Sequence, residues 1–103
     1  MALKKSYSKD KQFCTVTFTV SKEAAHGAKE VTIAGDFNNW SSTETPLTLG
    51  KDGSFSVKLK LPAGNKEYQF RYLLDGKHWE NDWNADKYIP APFSHTDNSV
   101  LIC

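Results

Sequence analysis

Two stretches of the chain alternate apolar and polar residues without a break. From Phe13 to Val20, Cys14, Val16, Phe18 and Val20 fall on one side and Thr15, Thr17 and Thr19 on the other. From Phe55 to Leu61, Phe55, Val57, Leu59 and Leu61 alternate with Ser56, Lys58 and Lys60. A period of two sends successive side chains to opposite faces of a β-strand, so both stretches predict strands with one buried face. Shorter runs repeat the pattern. Val31 and Ile33 point inward before Gly35 stops the run. Tyr68, Phe70, Tyr72 and Leu74 form an inward face, with Gln69 and Arg71 outward, and Val100 and Ile102 share one face of a last short strand. Turn signals separate these runs: Lys51-Asp52-Gly53, Pro62-Ala63-Gly64-Asn65, Asp75-Gly76, and the prolines Pro90 and Pro92. Ser21 to Gly27 reads as one helical turn, capped by Ser21 and ended by Gly27. Six or so short strands without a long helical period indicate an all-β sandwich.

Residues 1–11 are polar and lysine-rich with no periodicity. They read as a flexible N-terminal arm ahead of one domain over 12–103. A chain of 103 residues suffices for one domain that buries roughly two-thirds of its unfolded surface, without disulfides or metals. It is too short for a barrel enzyme, which needs about 200 residues or more. Thirteen basic residues against twelve acidic give no electrostatic grip on nucleic acid or on an anionic membrane. No run of 18 apolar residues is present, and Met1 to Tyr7 has basic residues without a following apolar stretch. Cytoplasmic residence is expected. Cys14 and Cys103, near opposite ends, read as reduced thiols rather than as a disulfide framework.

The residue types that do chemistry are not arranged to do it. Ser94-His95-Thr96-Asp97 contains serine, histidine and aspartate, but neighbours on an extended segment point in opposite directions, so the run reads as a polar loop and not a triad. Asp82-x-Asn84-x-Asp86 matches the opening of a calcium loop. The match then fails, with Lys87 at the turn-glycine position and Phe93 at the bidentate glutamate. Glu80, Asp82 and Asp86 read as hydrated loop carboxylates. Clustered cysteine and histidine, as zinc requires, are absent. No cofactor, metal or catalytic residue is expected.

The aromatic residues carry more information. Trp40 stands in a run of Asn and Ser, and Trp79 and Trp83 stand among Glu80, Asn81, Asp82 and Asn84. Two readings are open. The rings could plug the ends of the sandwich. Alternatively they could form a flat platform on which the C–H face of a sugar stacks, with its hydroxyls bonded by neighbouring amide or basic groups. Tryptophan and arginine are also common anchors of protein interfaces. Strand parity puts Arg71 on the outward face, either as a solvated charge or as part of such a platform. Thr96 and Asn98 precede the last strand as ordinary turn residues or as further polar contacts.

Val31-Thr32-Ile33-Ala34-Gly35-Asp36-Phe37-Asn38-Asn39-Trp40 resembles the start of the carbohydrate-binding module family 48 domain. So do Tyr68-Gln69-Phe70-Arg71-Tyr72-Leu73-Leu74-Asp75-Gly76, the following Trp79, and the closing Asp97-Asn98-Ser99-Val100. That family includes the glycogen-binding domain of the AMP-activated protein kinase β subunit and the early-set domain ahead of isoamylases and glycogen branching enzymes. The resemblance runs from about Phe13 to Ile102 and implies an immunoglobulin-like early-set β-sandwich of about seven short strands. It also implies a carbohydrate-binding site. Trp40 and Trp79 match the two stacking tryptophans, Arg71 the basic position, and Thr96 and Asn98 the loop threonine and asparagine. Two positions depart from the pattern. The turn before Trp79 is one residue longer, through Lys77 and His78, and the loop leucine is replaced by Ser94 or displaced to Phe93. The expected partner is an α-1,4-glucan or maltooligosaccharide, with a separate glycogen-metabolising enzyme as a second kind of partner. Where the family accompanies a glycoside hydrolase family 13 barrel, the barrel does the chemistry, and a chain of this length is expected to act as a stand-alone, non-catalytic module. The alternative implied by the departures is a protein-interaction domain of the same fold that has lost sugar binding.

Overall fold

The computed structural model describes residues 1–91 and 96–103. Nine strands lie among them: β1 (Ala2–Tyr7), β2 (Phe13–Val20), β3 (Val31–Gly35), β4 (Thr48–Leu49), β5 (Phe55–Pro62), β6 (Glu67–Leu74), β7 (His78–Glu80), β8 (Lys87–Pro90) and β9 (Asp97–Ile102). One antiparallel sheet has the order β1-β2-β5-β4. The other has the order β3-β6-β9-β8, with β7 also paired to β6. The described residues contain no α-helix, only a 3-10 turn at Asp36–Asn38. The all-β sandwich is therefore the fold, with nine strands where about seven were expected.

The alternating stretches are the framework of the first sheet. β2 and β5 pair so that Cys14 faces Leu61, Val16 faces Leu59, Phe18 faces Val57 and Val20 faces Phe55, all toward the interior. Thr15, Thr17 and Thr19 pair with Lys60, Lys58 and Ser56 on the solvent side. In the second sheet, β6 buries Phe70, Tyr72 and Leu74. The two sheets meet where Phe70 approaches Phe18 edge-on, with ring centroids 5.3 Å apart, and Tyr72 of the same strand stands 5.7 Å from Phe70. The Lys51-Asp52-Gly53 turn closes β4 onto β5, with Gly50 N donating to Ser54 O (2.7 Å) and Gly53 at φ +86°. The Ser21 segment forms turns rather than a helix. Ser21 Oγ nevertheless accepts from Ala24 N at 3.1 Å, the capping bond expected of it.

Three local expectations are corrected. The flexible arm over residues 1–11 does not hold for Ala2–Tyr7, which forms β1 along the free edge of β2. Leu3 lies opposite Phe18, and Met1 joins the core. The Ser8-to-Lys11 turn that joins β1 to β2 is held by Asp10, which accepts from Ser8 Oγ (2.6 Å) and Gln12 N (3.1 Å). Apolar periodicity could not reveal this strand, because the backbone ladder to β2 supplies most of what holds it. Asp82 is also not a hydrated carboxylate. It is fully buried, accepting from the Tyr72 hydroxyl (2.8 Å) and from Asn84 N (2.8 Å), while its own N–H donates to Ser99 Oγ (2.8 Å). Asp86 likewise has fixed partners, an ion pair with Lys5 Nζ at 2.6 Å and a bond from Ile102 N at 2.7 Å. Among the described residues no three metal-ligating side chains gather, and no helix is long and apolar enough to cross a membrane.

Two outcomes follow from this packing. Phe70→Ala should lower stability by about 3 to 5 kcal/mol, read from urea unfolding, because it opens a cavity between the sheets. Burial, with the Asp82 carboxylate beside it, pushes the Tyr72 phenol well above its ordinary value. In the unfolded chain the same phenol ionises near pH 10, so the folded state holds the extra proton above that pH and stability falls as pH rises past about 10. Tyr72→Phe should cost about 1 to 3 kcal/mol at neutral pH, by leaving Asp82 short of a donor. It should also flatten part of the alkaline decline in unfolding measured from pH 7 to 11. Tyr7 and Tyr68, also raised by burial, keep the remainder.

Candidate functional site

Burial of Phe70 and Tyr72 turns Gln69, Arg71 and Leu73 to the outer face of the second sheet. Their cross-strand neighbours complete that face. Ala34 lies opposite Arg71 and Thr32 opposite Leu73 on the β3 side. On the other side Val100 of β9 lies opposite Gln69, and Trp79 of β7 lies opposite Leu73. Asn98, two residues before Val100, shares its face and pairs with Ile89. Trp79 and Arg71 are therefore diagonal neighbours, a separation long side chains bridge. Ala34, Leu73 and Val100 are buried yet stand outside the main core cluster, as an apolar floor under this face.

β9 and β7 share one edge of β6. β9 pairs with Glu67 to Phe70 and β7 with Tyr72 to Leu74, and the two part at Arg71. Asn81 spans the fork, with Oδ1 accepting from Ser99 N (3.0 Å) and Ser99 Oγ (2.8 Å) and Nδ2 donating to Asp97 O (2.6 Å). The long turn through Lys77 and His78 is absorbed before β7. Asp75 and Gly76 adopt left-handed φ of +52° and +66°, Lys77 N donates to Leu74 O, and His78 pairs with Leu74. Trp79 thus reaches the outer face, 45% exposed.

Trp40 arrives from the β3 end. The 3-10 turn is held by Asn38, whose Oδ1 accepts from Gly35 N (3.0 Å) and whose Nδ2 donates to Ile33 O (2.9 Å) and Thr45 Oγ1 (3.0 Å). Asn39 and Trp40 follow with φ of +56° and +58°. A left-handed conformation is unusual for a bulky residue and costs of order 1–3 kcal/mol, so its surroundings must hold it. Trp40 N donates to Gly35 O (2.8 Å), and Nε1 donates to Asp36 Oδ1 (3.0 Å). The other Asp36 oxygen accepts from Gln69 N at 2.7 Å, and the Gln69 side chain accepts from Asn98 Nδ2 at 2.9 Å. One hydrogen-bonded chain therefore runs from Trp40 through Asp36 and Gln69 to Asn98. Close packing at Gly35 permits it, since a Cβ there would stand 2.5 Å from Gln69 O and 2.8 Å from Phe70 Cβ.

The structure thus brings Arg71, Trp79 and Asn98 to one face and ties Trp40 to its β3 end through Asp36 and Gln69. Trp40 is 36% exposed, and Asn98 is buried with one amide bond committed to Gln69. Arg71 Nε is buried and has no hydrogen-bond partner among the described residues. Thr96 sits at the margin, exposed, with its carbonyl accepting from Ala91 N (3.2 Å). Phe93, Ser94 and His95 lie outside the described residues. Trp83 does not plug the sandwich. It is 59% exposed, and its neighbour Asp82 occupies the interior instead. Asp36 and Gln69 were missed as site residues. The four-residue spacing of Asp36 from Trp40, and the parity Gln69 shares with Arg71, were the available signals.

Comparison with known proteins follows the same outline. The family described as the glycogen recognition site of AMP-activated protein kinase matches residues 19–92, a span that holds Trp40, Arg71 and Trp79 but stops short of Thr96 and Asn98. The pig 5'-AMP-activated protein kinase subunit beta-1 is 45% identical over 77 residues, covering 73% of this chain and 55% of that protein. The rat beta-1 subunit is 43% identical over 76 residues, covering 74% of this chain and 26% of that protein. The human beta-2 subunit is 43% identical over 58 residues, covering 56% of this chain and 20% of that protein. The chain thus spans about half the length of the pig relative and a smaller share of the other two.

The Asp36 clamp has a direct test. Asp36→Ala should free the Trp40 indole and cost about 1 to 2 kcal/mol of stability. Tryptophan emission should shift red and its anisotropy fall, while Asp36→Asn, which keeps an acceptor, should change both less.

Proposed function

The chain belongs to the family of the glycogen recognition site of AMP-activated protein kinase, and on that premise we propose that its outer β3–β6–β7 face binds α-1,4-linked glucan such as glycogen or a maltooligosaccharide. The observation that carries this reading is the pair of exposed indoles, Trp40 and Trp79, on the face that holds Arg71 with its unpartnered Nε. A glucose ring offers an apolar C–H face to stack on an indole and equatorial hydroxyls that accept hydrogen bonds. Arg71 as a whole is only half-buried, so the outer N–H groups of its guanidinium can donate to ligand hydroxyls. Asn98, held by Gln69, adds a preorganised amide. Thr96 belongs to the margin of the same reading.

Binding is the whole of the proposed activity. No acid–base carboxylate pair is invoked, because Asp82 and Asp86 are committed to structural bonds. In this reading the domain works in the cytoplasm as a separate module that carries a partner, a kinase or a glycogen-metabolising enzyme, to the glucan. The kinase-subunit relatives support that choice of partner. The same docking role would serve beside a family 13 glycoside hydrolase.

Titration with maltoheptaose, followed by tryptophan fluorescence, tests the reading. A shallow face with two stacking rings should bind with about −4 to −7 kcal/mol, a Kd of roughly 10 µM to 1 mM. Trp40→Ala and Trp79→Ala should each cost about 2 kcal/mol, roughly thirtyfold in Kd, without unfolding the domain. Arg71→Ala should cost about 1 to 2 kcal/mol of affinity without lowering Tm, since it removes an unsatisfied buried group. Absence of binding by the folded wild type to maltoheptaose and β-cyclodextrin at millimolar ligand would overturn the proposal in favour of a protein-interaction domain.

A further inference from the structure

Cys14 and Cys103 are far apart in sequence and adjacent in space. Cys14 points inward from β2, opposite Leu61 in the first sheet, and is fully buried. Cys103 follows β9 of the second sheet and is pinned to Lys66 by two backbone bonds, Cys103 N to Lys66 O at 2.9 Å and Lys66 N to Cys103 O at 3.1 Å. Both thiols belong to the same core cluster, and Tyr7, which pairs with Cys14 across β1 and β2, lines one cavity with Cys103. Both are free. An open cavity of about 370 Å³, lined by Tyr7, Lys11, Ala63, Gly64, Asn65 and Cys103, brings solvent to Cys103 but does not include Cys14.

We propose that Cys14 and Cys103 form a reversible disulfide between the two sheets, made by exchange with a small-molecule disulfide such as oxidised glutathione that enters through this cavity. The Cys103 thiolate attacks one sulfur of glutathione disulfide, forming a mixed disulfide and releasing one glutathione thiolate. The Cys14 thiolate then attacks the Cys103 sulfur, forming the protein disulfide and releasing the second glutathione. Two protein thiols are oxidised, one glutathione disulfide is reduced to two glutathiones, and the two protons pass to them. Excess glutathione reverses both steps. The positions suit the bond, because Cys14 from the first sheet and Cys103 at the end of the second enter one core cluster beside the same Tyr7. Burial and the neighbouring Cys14 push the Cys103 thiol up to about 12, so little thiolate is present at neutral pH and exchange is slow there.

The consequence is a staple between sheets that leaves the outer face alone. Cys103 sits beyond the Glu67 end of β6, whereas Trp79 lies opposite Leu73 near its other end. The bond would close a loop of roughly 90 residues, among the longer loops for which cross-linking constrains the unfolded chain most.

The test incubates the folded chain with glutathione disulfide, then quenches with acid and maps the peptides by mass. The expected product is a monomer lighter by two hydrogens, with one peptide pair linking Cys14 to Cys103. Its Tm should be roughly 10 °C or more above that of the reduced protein, and dithiothreitol should reverse the change. Cys103→Ser should show neither the mass change nor the Tm rise. A glutathione adduct stable on Cys103, disulfide-linked dimers, or intact thiols in the folded chain when a urea-unfolded control oxidises would each overturn the proposal. These outcomes are read on the wild type, so the inference stays testable if the variant does not fold.

Discussion

Phe70 resting edge-on against Phe18, with Tyr72 beside it, fixes β6 in the register that keeps both its charged residues, Glu67 and Arg71, off the inter-sheet core. A slip of one residue would exchange the two faces of the strand. Arg71 would enter the interior between the sheets, where an unpaired guanidinium costs several kcal/mol, and Tyr68, Phe70, Tyr72 and Leu74 would be left on the outer face. The core contact and the outer face that carries Arg71 are thus two sides of one constraint. β3 and β9 inherit it through their ladders to β6, and so Ala34, Thr32, Val100 and Asn98 take their places beside Arg71 without further specification.

Trp40 is outside that logic, because it follows the end of a strand and no ladder dictates its direction. Hydrogen bonds do. Asn38 closes the turn, the missing side chain at Gly35 lets the backbone approach β6, and Asp36 holds both the indole N–H and Gln69 N. Two successive left-handed residues are costly, and the chain concentrates that cost at the residue that offers its ring to solvent. An indole fixed in this way loses less entropy on meeting a ligand than a freely rotating one.

The parts of the molecule visible in the sequence are those where burial alternates residue by residue. Cys14 to Val20, Phe55 to Leu61 and Tyr68 to Leu74 have the faces their spacing implies, and from the last of these the outward position of Arg71 followed. The parts that were hidden depend on partners distant in sequence. Ala2–Tyr7 has too few apolar residues to show a period, and becomes a strand because β2 has a free edge. Asp82 looks like a surface carboxylate until Tyr72 and Ser99 are brought to it by the fold. Asp36 and Gln69 look like a loop acid and a surface amide, and gain their role only when β3 and β6 are paired. Trp83, sharing the polar neighbourhood of Trp79, could not be separated from it by composition. Strand pairing separates them, because Trp79 lies within β7 and Trp83 beyond its end.

The fork at Arg71 makes the face mechanically uneven. Trp40 rests on Asp36 beside the long β6 ladder, while Trp79 rides on a strand of three residues whose outer tether is largely the side chain of Asn81. Short segments with few ladder bonds open locally at much lower free energy than the sheet they border. The amides of β7 should therefore exchange with solvent well before those of β6 and β9, and a ligand long enough to touch both indoles would slow them. The face has one rigid jaw and one compliant jaw, so under the proposed function any adjustment to a polymer of varying curvature falls on the Trp79 side.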